Sequence, residues 1–150
     1  MMGIALIGTV WMALLLTVLV ATVEWSIRRK AYASMSWTGI AMSTAPGIVM
    51  LLTFYALALH MHAALGGWPK AIGNAGFPPG LVQHDNATSW YFPVMLLAVF
   101  LAWPVALAIC SAVARLRRFI PHLSLFAGSF VVNLALMLLG PSQFLDWWWD

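Results

Sequence analysis

Between Gly3 and Val23 the chain carries no charged side chain, and three more such stretches follow before residue 141. The first has 21 residues, which at about 1.5 Å per residue makes roughly 31 Å of helix, the thickness of a bilayer's hydrocarbon core. An uncharged run of that length constrains a chain more than any motif does. In lipid every backbone N–H and C=O must be satisfied internally, and a helix does this within one segment. Charged residues make up 7% of the 150, hydrophobic residues 63%, and the mean hydropathy is +0.93. Soluble domains are usually about one-quarter charged, so a soluble globule is excluded.

The four runs predict an all-α integral membrane protein, a single transmembrane domain over residues 1–150 with spans at about 3–23, 37–65, 90–114 and 119–140. Pro46 should kink the second span. Pro93 is expected in the first turn of the third and Pro104 near its middle, and Gly140-Pro141 should stop the fourth. Basic residues cluster in two connections, Arg28-Arg29-Lys30 and Arg115, Arg117 and Arg118, whereas the opposite side carries Lys70 alone. The positive-inside rule then places both termini outside the cytoplasm. Trp25, Tyr32 and Trp37 would form an inner aromatic belt, and Trp68, Trp90, Tyr91 and Trp147-Trp148-Trp149 an outer one. No side-chain charge precedes the first apolar run and the basic cluster follows it, so that run is expected to stay as a helix and not to be cleaved as a signal peptide. The expected location is a bacterial inner membrane.

The clustered positive charge is explained by topology, and nucleic acid is not expected as a partner. No carboxylate, lysine or arginine lies inside a span, which disfavours proton-coupled carriers, ion pumps and voltage sensors. Glu24 should pair with Arg28 at i+4. A single cysteine, Cys110, rules out an intrachain disulfide and the metal and redox motifs that need two. His60 and His122 differ in depth by most of the bilayer, which excludes a haem bridging them.

The outer loop, expected to run from Gly66 to Ser89, is rich in glycine and proline, and long loops are often functional. His60 and His62 at the end of the second span, His84-Asp85 in the loop and Asp146 together form a candidate oxygen-and-nitrogen metal site. An i,i+2 pair points about 200° apart on a regular helix, so His60 and His62 face one ion only if the helix has unwound. Their plainer role is as interfacial, hydrogen-bonded side chains. Asn133, the one amide in the membrane, is expected to act as interhelical glue, with His60 at matching depth as its partner. Trp11 and Trp103 near mid-membrane are expected to pack.

Leu59-His60-Met61-His62 through Gly67-Trp68-Pro69, Gly76-Phe77-Pro78-Pro79 and the terminal Trp147-Trp148-Trp149-Asp150 resemble a group of uncharacterised small bacterial four-helix membrane proteins. The resemblance covers the second helix to the C-terminus and implies no activity, ligand or residue role. From the residues themselves the leading expectation is a non-catalytic accessory or scaffold subunit of a larger membrane complex. Its partners would be the bilayer and other membrane protein subunits, with no cofactor. One alternative is an outer-face metal-binding protein or membrane enzyme using His60, His62, His84 and Asp85, with a metal ion as cofactor. A second is a small carrier of a neutral or lipidic solute.

Overall fold

The computed structural model describes residues 2–69 and 73–149, with the backbone alone for residues 2–9 and 34. Lys70 and Asp150 therefore lie outside the described residues. The chain forms helices α1 (Met2–Arg28), α2 (Trp37–Leu65), α3 (Pro79–Leu97), α4 (Trp103–Ala112), α5 (Ile120–Met137) and α6 (Ser142–Trp149). A π-helical turn, Ala98–Ala102, joins α3 to α4 without a break, and 3₁₀ segments lie in the two basic connections, Ala31–Ser34 just after Arg28-Arg29-Lys30 and Ala114–Phe119 containing Arg115, Arg117 and Arg118. Among the described residues four segments are long and apolar enough to cross a membrane: Val10–Arg28, Trp37–Leu65, Pro79–Ala112 and Ala114–Met137.

The second span matches the sequence reading at both ends, with Pro46 inside the helix. The others differ. Helix α1 continues past Val23 to Arg28, because Arg28 pairs with Glu24 at i+4 and nothing in Glu24-Trp25-Ser26-Ile27 breaks a helix. The expected loop to Ser89 ends at Phe77-Pro78. Pro79 is the first residue of α3, the position where a proline's fixed φ and missing N–H cost least. Pro78 contributes its carbonyl to the first turn, accepting from the backbone N–H groups of Leu81 and Val82. Residues 79–89 are thus helical, and Pro93 lies well inside α3 rather than in its first turn. Pro104 is the second residue after the π turn, whose widened backbone accommodates a residue with no N–H to donate. At the C-terminus, α6 is an additional helix beyond the Gly140-Pro141 stop.

The chain divides into two compact units. The first, Met1–Thr44 with Leu97–Ser129, holds six of the seven basic residues and one acid, Glu24. Ser129 Oγ donates to the Thr44 carbonyl at 3.1 Å, fixing α5 to α2, and Trp103 Nε1 donates to the Leu123 carbonyl at 2.9 Å, fixing α4 to α5. Trp103 is buried and packs as expected, whereas Trp11, for which the same role was expected, is 45% exposed, because α1 is the span least covered by the rest of the chain. The second unit is Ala45–Leu96 with Phe130–Asp150. Its core stripe on α2, Met50, Phe54, Leu57, Ala58 and Met61, recurs at helical spacing and is fully or nearly fully buried. Here Tyr55 Oη donates to the Leu136 carbonyl at 2.8 Å and Tyr91 Oη to the Pro46 carbonyl at 3.0 Å. Exposed side chains such as Val10, Leu14, Leu52, Val94 and Val132 are as apolar as the buried ones, the pattern of a surface made for lipid.

Candidate ligand-binding site

The candidate metal ligands His60, His62, His84, Asp85 and Asp146 all fall in the second unit, and the structure divides them by helix geometry. Helix α2 is continuous through residues 60–62, so the two histidines diverge. His60 Nδ1 lies 3.0 Å from His84 Nδ1, with the rings tilted by 35°. This contact needs one Nδ1 to carry a proton and the other to accept it, leaving both Nε2 atoms turned elsewhere. His62 instead meets the edge of Trp68, ring centroids 4.8 Å apart. His84 and Asp85 are successive residues of α3 and point about 100° apart. While His84 reaches His60, Asp85 faces the loop, and Asp146 is exposed on α6.

Two of the proposed metal ligands therefore come together, His60 and His84. Among the described residues no group of three or more histidine, cysteine, aspartate or glutamate side chains is placed to hold a metal ion. The partner expected for His60 was Asn133, but the residue at its Nδ1 is His84, and Tyr55 is the side chain that bridges α2 and α5 nearby. Asn133 itself is buried.

Asp85 anchors a different site. Only 6% of its surface is exposed, and each carboxylate oxygen receives one neutral donor: Asn74 Nδ2 gives to Oδ2 at 2.6 Å and Ser89 Oγ to Oδ1 at 3.1 Å. A carboxylate accepts about four hydrogen bonds, so these two donors, the ones found among the described residues, leave acceptor capacity. Asp85 and Ser89 line a cavity of about 420 Å³ whose remaining walls are Gly73, Phe92, Pro93 and Trp147–Trp149. That volume is within the range of small-molecule sites.

Helix register supplies one side of this cavity, since Asp85, Ser89 and Phe92 stand at i, i+4 and i+7 on one face of α3. The short helix α6 supplies the other. It is seated by Phe144, which is fully buried against the Phe54 ring at 5.0 Å, and by Trp147 Nε1 donating to the Gly73 carbonyl at 3.3 Å. Gly73 has φ +84, a left-handed conformation that a side chain would strain. The Phe92 ring stands nearly perpendicular to Trp148 and Trp149, at 80° and 74° with centroids 6.3 and 5.5 Å away. These edge-to-face rings and the Asp85 carboxylate line one cavity.

Sequence reading missed Asn74, Ser89 and Phe92. Ser89 and Phe92 carry a signal once α3 starts at Pro79, because they then share a face with Asp85. Asn74 carries none. Comparison with family models, with curated proteins and with solved structures gives no match.

Proposed function

We propose that this protein binds a small organic cation in the Asp85 cavity. The observation that carries this reading is a nearly buried carboxylate, hydrogen-bonded among the described residues by neutral donors, in a cavity walled by perpendicular aromatic rings. Ammonium groups, above all quaternary ones that cannot satisfy hydrogen bonds, are attracted by aromatic faces and by the carboxylate together. In this reading the chain is a binding protein of a bacterial inner membrane, with both termini and the Gly66–Pro78 loop outside the cytoplasm. It serves as an accessory subunit of a larger membrane complex. The accessory role is supported by α1, whose membrane window is only 11% buried by the rest of the chain and so leaves most of its surface for lipid or a partner helix.

The test compares choline with 3,3-dimethylbutan-1-ol, its uncharged carbon isostere, by calorimetric titration of the detergent-solubilised protein. Choline should bind at least about tenfold tighter, the equivalent of one desolvated cation–π contact, and Asp85→Asn should abolish the difference. Equal binding of the two compounds, or no binding of choline, would sink the reading. Co-purification in mild detergent tests the accessory role, and a chain recovered alone from native lipid refutes it.

A further inference from the structure

The first compact unit contains a second cavity of opposite character, independent of the Asp85 site. It has a volume of about 600 Å³ and is lined by Ala21, Thr22, Trp25, Arg29, Ser111, Arg117 and Ile120. Both basic connections contribute to it, Arg29 from the start of the first and Arg117 from the 3₁₀ segment of the second. Two arginines almost ninety positions apart in sequence thus line one cavity.

The six basic residues of this unit do not all have the same role. Arg28 is engaged by Glu24 through both Nε and Nη2. Arg118 lies over the Phe119 ring, 5.0 Å from its centroid. Arg117 is held in place by its Nε, which donates to the Ser111 carbonyl at 3.2 Å and leaves the terminal nitrogens of the fork for another acceptor. Arg29 and Arg117 are the two that line the cavity, together with the hydroxyl-bearing Thr22 and Ser111 and the apolar Ala21 and Ile120. Trp25 stands beside them. Trp25 and Arg117 also line a second hollow of about 340 Å³ that reaches Arg118 and His122.

We propose that this cavity binds the phosphate group of an anionic phospholipid. Planar guanidinium forks match a phosphate diester better than a point charge does, and two of them balance more than its single negative charge. The apolar walls and the indole suit the glycerol and upper acyl region that accompany such a headgroup. Arg29 immediately follows a span that ends at Arg28, so the cavity lies where headgroups lie. Basic pockets beside membrane helices are sites of this kind, each Arg near the surface adding a modest, salt-dependent increment.

The experiment is native mass spectrometry of the full chain released from micelles doped with dioleoylphosphatidylglycerol or dioleoylphosphatidylcholine, with thermal stability measured in parallel. The wild type should retain phosphatidylglycerol in preference to phosphatidylcholine. Retention should fall about fivefold for each of Arg29→Gln and Arg117→Gln, whereas Arg115→Gln, an equal loss of charge at a residue outside the cavity lining, should change it less than about twofold. Arg29→Lys and Arg117→Lys, which keep the charge, should retain the fold and part of the binding, so that a failure of the glutamine variants to fold does not decide the matter. Equal retention of the two lipids refutes the proposal, as does an Arg115→Gln loss as large as the others. Inorganic phosphate at millimolar concentration should not displace the lipid. If it displaces it fully and stabilises the protein equally, the ligand is a soluble phosphate and the headgroup assignment falls.

Discussion

Truncating Phe54 should cost about 2–4 kcal/mol of stability, a figure that rests on its surroundings. Its ring is completely buried and makes three edge-on contacts: with Tyr55 at 5.4 Å, Phe144 at 5.0 Å and Trp148 at 5.4 Å. Tyr55 is its chain neighbour and stays close when the helices separate, so folding creates only the pairs with Phe144 and Trp148. Two such pairs at about 0.5–1.5 kcal/mol each give about 1–3 kcal/mol. In water-soluble cores Phe→Ala costs about 3–5 kcal/mol including transfer from water. That transfer contribution shrinks here, because unfolded helices remain in lipid, and the void left beneath α6 makes up the rest. The assay is unfolding of Phe54→Ala in mixed micelles by added SDS, followed by near-UV dichroism of the tryptophans. A double-mutant cycle with Trp148→Ala should give a coupling of about 0.5–1.5 kcal/mol. Additivity within about 0.3 kcal/mol, or a cost for Phe54→Ala below about 1 kcal/mol, would show that α6 is not held by this ring.

Gly39→Ala should destabilise by about 1–3 kcal/mol, because a Cβ built there falls 2.6 Å from His122 Nε2. The cost should largely vanish in a His122→Ala background, and persistence of the penalty would rule out that clash as its source. Trp103→Phe removes the indole that donates to the Leu123 carbonyl and should cost about 0.6–1.7 kcal/mol by SDS unfolding, the scale of hydrogen bonds between membrane helices; no loss would mean the bond contributes nothing net. On a Cys110→Ala background, a cysteine at Gly73 should react with an impermeant thiol reagent in intact cells and one at Ala31 should not, and the reverse pattern would overturn the proposed orientation.

The spans are legible because their signal is redundant. Twenty or more residues without a charge leave a chain few options, and the second span reads to the residue because Ser36-Trp37 and Leu65-Gly66 mark its ends with a polar group and a left-handed glycine. Prolines are where sequence and structure part. Pro78-Pro79 reads as a breaker, yet a proline is also the best first residue of a helix, and the residues C-terminal to it decide which role it takes. Here Leu81, Asp85 and Thr88 are buried at helical spacing, a tertiary fact that one sequence states only faintly.

The same ambiguity hides the candidate site. If residues 79–89 were a loop, His84 and Asp85 would be neighbours free to converge on one ion, and their natural partners would be other histidines. On a helix, adjacency in sequence means divergence in space. His84 turns to His60 and Asp85 to Asn74, and the residues that share a face with Asp85 are Ser89 and Phe92, four and seven positions on. The tryptophan triplet is legible as apolar and amphipathic, but its placement against Asp85 depends on Phe144 seating α6 and on Gly73 adopting a left-handed turn. Neither feature leaves a mark in composition or periodicity. In a membrane chain apolar residues face lipid as readily as core, so hydropathy locates the helices while small polar groups and aromatic edges decide how they meet. A buried carboxylate with no charged partner among the described residues is therefore a more informative feature of this chain than its long apolar runs.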